Sequence, residues 1–146
     1  MKKTLFLLAL LLLPQIVSCQ TRTERAADWI STGLVGANLT ADVVHDVRHH
    51  CVKNLLIRNG LTIGAAELTK LLVHERRPDG SDNKSFYSEH SALAMANYGW
   101  SYKIGFALAL GAGAGRVVAR KHHPTDVLVG LAAGVGAAYL FPCEAK

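Results

Sequence analysis

Apolar positions recur along this chain at three- and four-residue intervals, the period of one helix face, and strand-like alternation is absent. Thr21 followed three residues later by Glu24 has the form of a capping box and predicts a first helix to about Gly36. Thr40 is placed to cap a second helix from Ala41. Between Leu55 and Val73, the residues Leu61, Ala65, Leu68 and Leu72 share helical spacing, and Asn59-Gly60 leaves a break inside that stretch open. The run Arg76 to Lys84 (RRPDGSDNK) reads as a polar, turn-rich loop. Ser88 caps a helix through Ala92, Met95 and Ala96. Ile104 to Ala119 is a helix of small residues, and Pro124-Thr125 opens a last helix, Asp126 to Phe141, stopped by Pro142. The expected fold class is all-α, a helical bundle.

Two of these helices are strongly apolar. Ile104 to Gly115 and Asp126 to Phe141 carry small-xxx-small spacings such as Gly130 and Gly134, which let backbones approach closely in membranes and in soluble bundles alike. Each apolar run is shorter than the roughly 20 residues of a membrane span. A globular bundle tethered to a membrane is therefore expected, with transmembrane helices as the alternative. The N-terminus suggests the tether. Lys2 and Lys3 precede the unbroken apolar run Leu5 to Leu13, as in an export signal. Ile16-Val17-Ser18-Cys19 then resembles the lipobox of bacterial lipoproteins. That resemblance implies that residues 1–18 are a signal peptide and that the Cys19 thiol is the lipid attachment point; an ordinary cleaved signal and a retained anchor helix are the alternatives. It also implies the periplasmic side of a bacterial cell envelope, with Gln20 favouring the outer membrane, for residues 19–146, whose length suits a single domain.

Composition narrows the picture. The chain has 146 residues, enough for one domain, and with 50% apolar and 18% charged residues it is neither disordered nor low-complexity. Cysteine is too scarce for a disulfide-built miniprotein. Once Cys19 is set aside, Cys51 and Cys143 remain. Outside the cytoplasm they can form a disulfide tying the C-terminal tail to the middle of the chain; the alternative is two buried thiols. The net charge is +5, but the few aromatic residues are not interleaved with basic ones, so nucleic acid is not an expected partner. Asp42, His45, Asp46 and His49 have the i, i+4 spacing that a metal can use, yet they read as a solvated helix face. No metal site and no cofactor is expected. Trp29 and Trp100 are expected in the core rather than at a bilayer interface.

Three clusters carry the candidate chemistry. They are Lys70 with Arg77-Pro78, then Tyr87-Ser88-Glu89-His90, then Arg116 with His122 and Asp126 in GRVVARKHHPTD. Lys70, Arg77 and Arg116 supply positive charge, and arginine forks match phosphate oxygens two at a time. Ser88 at a helix N-terminus offers a hydroxyl and free backbone N–H groups. His122 has Asp126 four residues on, and a carboxylate that holds one ring nitrogen makes the other a better nucleophile. His90 is a second imidazole that can protonate a leaving oxygen. No cluster of carboxylates for a two-metal site accompanies them, and metal-free phosphoryl transfer through a phosphohistidine fits the parts.

In order and spacing these clusters resemble the three-part signature of the type 2 phosphatidic acid phosphatase superfamily. Its members include lipid phosphate phosphatases, bacterial acid phosphatases and vanadium haloperoxidases. The resemblance covers about Leu55 to Tyr139. It implies a helical bundle whose site lies at one end of the core helices. Lys70, Arg77, Ser88 and Arg116 would bind phosphate, His90 would be the general acid, His122 would attack phosphorus and Asp126 would orient it. The implied partner is a phosphorylated, lipid-linked substrate. Three positions depart from the usual motifs: Tyr87 replaces Pro, Glu89 replaces Gly and Gly115 replaces Ser. Glu89 matters most, because it brings a negative charge to an anion site. It is expected to be the first residue of its helix and to point away; otherwise it narrows the substrate range or weakens the enzyme. The alternative function is a catalytically degenerate phosphatase fold serving as a binding or structural lipoprotein.

Overall fold

The computed structural model describes residues 21–144, which form five helices with no strand among them. The expected signal segment and Cys19 lie outside the described residues. The helices are α1 (Arg22–Arg48), α2 (Val52–Leu72), α3 (Glu89–Ala96), α4 (Ile104–Val118) and α5 (Pro124–Leu140). None of them is long and apolar enough to cross a membrane.

Helix α1 opens with the expected capping box: Thr21 Oγ1 accepts from Glu24 N at 3.1 Å and Glu24 Oε2 accepts from Thr21 N at 2.8 Å. It does not stop at Gly36. Thr40 is an interior residue whose hydroxyl donates to the Gly36 carbonyl at 2.7 Å, so no second helix starts there. The face that turns inward is polar: Ser31, Asn38, Asp42 and Asp46 are buried together with Val35, at spacings of three and four. The apolar residues of α1 lie largely outside, and Trp29, expected in the core, is 78% exposed. Trp100 is half-buried and its indole N–H donates to Asn38 Oδ1 at 2.6 Å.

Helix α2 passes through Asn59-Gly60 without a break. Asn59 and Asn97 exchange amide hydrogen bonds, 3.1 Å one way and 2.7 Å the other, which turns the suspected break into a contact with the end of α3. The expected apolar face is again not the buried one. Leu61, Leu68 and Leu72 are exposed, while Leu55, Arg58, Thr62 and Ala66 face inward.

Helix α3 is the centre of the bundle. Ala92, Ala94, Met95 and Ala96 have almost no accessible surface. Its backbone packs directly on α5: a Cβ at Gly130 would stand 2.4 Å from the Ser88 carbonyl oxygen, and only glycine permits that approach. Gly115 serves α4 in the same way, where a Cβ would meet Ser31 Cβ at 2.7 Å. This close contact with α1 accounts for the replacement of the motif's usual serine.

The loops after α1 and after α5 are joined by a Cys51–Cys143 disulfide. Beside it, Arg58 is buried between Asp42 and Asp46 and donates to the Phe141 carbonyl at 3.1 Å. Asp42 and Asp46 are therefore not part of a solvated face. Their charges are covered because Arg58 faces them from α2. Burial raises the Asp42 carboxyl to about 6 against the opposing pull of Arg58. His45 Nδ1 lies 3.1 Å from Asp46 Oδ1, so Asp46 is engaged by both Arg58 and His45.

Candidate active site

The end of the bundle opposite the disulfide collects the candidate residues. It holds the last turns of α2 and α4 and the first turns of α1, α3 and α5. Lys70 and Arg116 come from the two C-terminal turns. Ser88 caps α3, His90 lies in the first turn of that helix, and Asp126 stands in the first turn of α5. Arg77 and His122 come from the connecting loops. These loops are clamped together: Asp79 N donates to the Arg120 carbonyl at 3.0 Å and Lys121 Nζ to Asp79 Oδ2 at 2.8 Å. Although burial alone would push Asp79 up, Lys121 and Ser81 hold it at about 2. Ser88 N donates to the Asp126 carbonyl at 3.1 Å, which joins the second and third motifs through the backbone.

His122 is buried, and its Nδ1 lies 2.6 Å from the Ser85 carbonyl oxygen. A carbonyl can only accept, so Nδ1 carries the hydrogen and Nε2 keeps its lone pair. Burial above all, together with Arg116 and Arg77, lowers the His122 pKa to about 4, against the opposing pull of the Ser85 carbonyl and Asp126. His90 is also lowered to about 4, by burial and then by Arg116, with Lys70 and Arg77 contributing and Asp28 opposing. Both imidazoles are neutral at pH 7 in the free site.

The expected contact of Asp126 with His122 is not made. Asp126 Oδ2 accepts from Ser85 Oγ and, at 2.9 Å, from His123 N. The side chain is thus engaged in capping its own helix and in holding Ser85, and it reaches His122 only through that residue. Its Oδ1 is buried without a hydrogen-bond partner.

Each cation of the site holds a carboxylate. Arg116 pairs with Asp28 of α1, and Arg77 Nε lies 2.8 Å from Asp82 Oδ1. Lys70 Nζ lies between Glu67 Oε1 at 2.7 Å and Glu89 Oε2 at 2.5 Å. Glu89 is the first residue of α3, as expected, but it does not point away. Two donors are left over: Arg77 Nε, misaligned with Asp82 for a hydrogen bond, and Arg116 Nε are both buried without a hydrogen-bond acceptor. Such N–H groups suit the oxygens of an incoming anion.

Apart from the opening turns of α1, the chain that builds this end of the bundle matches a family model, the PAP2 superfamily, over residues 59–144. The chain belongs to the PAP2 superfamily. No curated protein and no solved structure matches it. Membership makes phosphatase-type hydrolysis the coarse functional class and a phosphorylated molecule the substrate.

Asp28, Glu67, Asp82 and Ser85 were not singled out in the sequence. Glu67 had a signal, since it stands three residues before Lys70 on one helix. Asp28 had none: it lies outside the family match and meets Arg116 only through the packing of α1 on α4.

Proposed function

We propose that this PAP2 protein is a metal-independent phosphatase that hydrolyses lipid-linked phosphomonoesters or diphosphates through a phosphohistidine. The observation that carries the reading is the tautomer of His122. With Nδ1–H bound to the Ser85 carbonyl, the unprotonated Nε2 is the ring atom free to attack phosphorus. Lys70, Arg77 and Arg116, with Ser88 at the N-terminus of α3, hold the phosphoryl oxygens and offset the charge that builds on them. His90 gives its proton to the departing oxygen. Burial and the surrounding cations keep His90 neutral in the free site, and a bound dianion offsets those cations, which favours its protonated form. In the second step water attacks the phosphohistidine, His90 takes up the proton of that water, and phosphate leaves with His122 restored. Apart from Asp126, which holds Ser85 and the His123 amide, the carboxylates described at the site are paired with basic groups, a donor set that suits anions rather than a pair of metal ions.

The lipid-linked part of the reading is supported by exposed apolar side chains at the same end of the bundle. Trp29, near the start of α1, and Leu71 and Leu72, at the end of α2, are 78%, 70% and 71% exposed. Apolar surface at the same end as a polar site suits an amphipathic substrate. The envelope location and the Cys19 anchor belong to the same proposal and put the enzyme beside its substrate.

The test is phosphate release from a short-chain lipid phosphate in EDTA by the wild type and by His122→Ala. Release that disappears in the variant supports the reading. Equal, near-zero release by both folded proteins across a panel of phosphates supports the second reading, a binding protein without catalysis. The ion pair of Glu89 with Lys70 is the observation that favours that second reading.

A further inference from the structure

Glu89 stands where the motif has glycine, and it holds one of the cations that the site needs. An ammonium has three hydrogens to donate, and two of those on Lys70 already go to Glu67 and Glu89. Around the site three cations, Lys70, Arg77 and Arg116, face four carboxylates, Asp28, Glu67, Asp82 and Glu89. A phosphate dianion that enters must compete with these groups for the same N–H donors.

The place of Glu89 decides which substrates suffer least. Its carboxylate lies 2.5 Å from Lys70 Nζ, and the Lys70 charge is one of those felt by His90, the group that faces the leaving oxygen in the proposed reaction. The leaving alcohol and Glu89 thus share the neighbourhood of Lys70. A cation on that alcohol would meet the carboxylates of Glu89 and Glu67 and would release Lys70 toward the phosphate. An uncharged alcohol gives no such exchange.

Resting on the phosphatase reading, we propose that Glu89 is a specificity-determining residue that favours phosphoesters whose leaving alcohol carries an ammonium group over those whose alcohol carries none.

The experiment compares the full wild-type chain with Glu89→Gln, which keeps the shape, and Glu89→Gly, which restores the motif. Two substrates of equal size are used, O-phosphoethanolamine and n-propyl phosphate, together with calorimetric binding of inorganic phosphate. The wild type is expected to prefer O-phosphoethanolamine in kcat/KM by about tenfold, the scale of one charge acting across a half-screened site. Both variants are expected to lose that preference and to bind inorganic phosphate about tenfold more tightly. Hydrolysis of both esters with equal kcat/KM in the wild type, or a preference that survives in both variants, overturns the role of Glu89 and leaves the phosphatase reading standing. If all three proteins are folded yet neither bind phosphate nor hydrolyse either ester, the phosphatase reading falls and this inference falls with it.

Discussion

The carbonyl oxygen of Ser85 accepts the Nδ1 hydrogen of His122 at 2.6 Å, in the place where the motif leads one to look for Asp126. The hydroxyl of the same serine donates to Asp126, so the carboxylate acts on the imidazole at one remove. Ser85→Ala keeps the carbonyl but frees it from Asp126. It should lower kcat about tenfold or more while KM stays within about threefold, because orientation of the nucleophile matters most in the transition state. Ser85→Thr retains the hydroxyl and should recover most of the loss. Steady-state kinetics on the three proteins checks this.

Two imidazoles that both titrate near 4 set the pH dependence. His122 must be neutral to attack, so kcat/KM should fall as pH drops below about 4. His90 must be protonated to serve the leaving oxygen, and it loses its proton above about 4 in the free enzyme, so kcat/KM should also decline toward neutral pH. The optimum is therefore expected on the acid side of neutrality. Replacing His90 by Ala should depress turnover of alkyl phosphates by roughly a hundredfold and that of p-nitrophenyl phosphate far less, since nitrophenolate leaves without a proton. Equal losses on both substrates would remove His90 from the acid role.

At the far end of the bundle, Arg58 is buried with Asp42 and Asp46. Removing the arginine leaves two carboxylates without their counter-ion in the interior. Arg58→Ala should cost about 3–5 kcal/mol of stability, read from urea unfolding. The raised pKa of Asp42 gives the sign of its own contribution. A carboxyl at about 6 in the fold and 3.8 as the ordinary value contributes stability that is present below 3.8 and is lost as pH rises through 6. Asp42→Asn should therefore flatten the decline in stability across that interval.

The helical glycines divide into two kinds. Gly60 has no atom within 4 Å of an added Cβ, so Gly60→Ala should stabilise α2 by about 0.5–1 kcal/mol. Gly130→Ala would drive a methyl into the Ser88 carbonyl and should cost about 1–3 kcal/mol or more. It should also impair catalysis, because Ser88 caps the helix that carries His90. Thermal unfolding of the two variants separates the cases.

Motif spacing was the legible part of the sequence. It selected Lys70, Arg77, Ser88, His90, Arg116, His122 and Asp126, and the fold assembles all seven at one end. Two of the three expected caps were legible as well, because Thr21 and Ser88 act through residues three positions away, whereas Thr40 lies inside α1. Apolar periodicity misled in α1 and α2. There the inward faces are built from Ser31, Asn38, Asp42, Asp46, Arg58 and Thr62: Arg58 joins the two aspartates across helices, Asn38 donates to the Ala94 and Gly105 carbonyls, and Ser31 and Thr62 donate to carbonyls of their own helices. A pattern that assigns polar residues to the outside places Trp29 and Leu68 within, where the structure has them exposed. The counter-ions Asp28 and Asp82, and the carbonyl of Ser85, are tertiary partners that no local spacing encodes.

The Cys51–Cys143 bond has a topological consequence. Together with the chain between them, 92 positions in sequence separation, it makes a closed ring that contains every candidate residue from Lys70 to Asp126. The exposed stretch from Ser81 to Lys84 lies on that ring. A single cut there by a protease opens the ring without dividing the molecule: the segment bearing Lys70 and Arg77 stays tethered to the segment bearing His122. Nicked once, the oxidised protein keeps both halves of its site in one covalent piece.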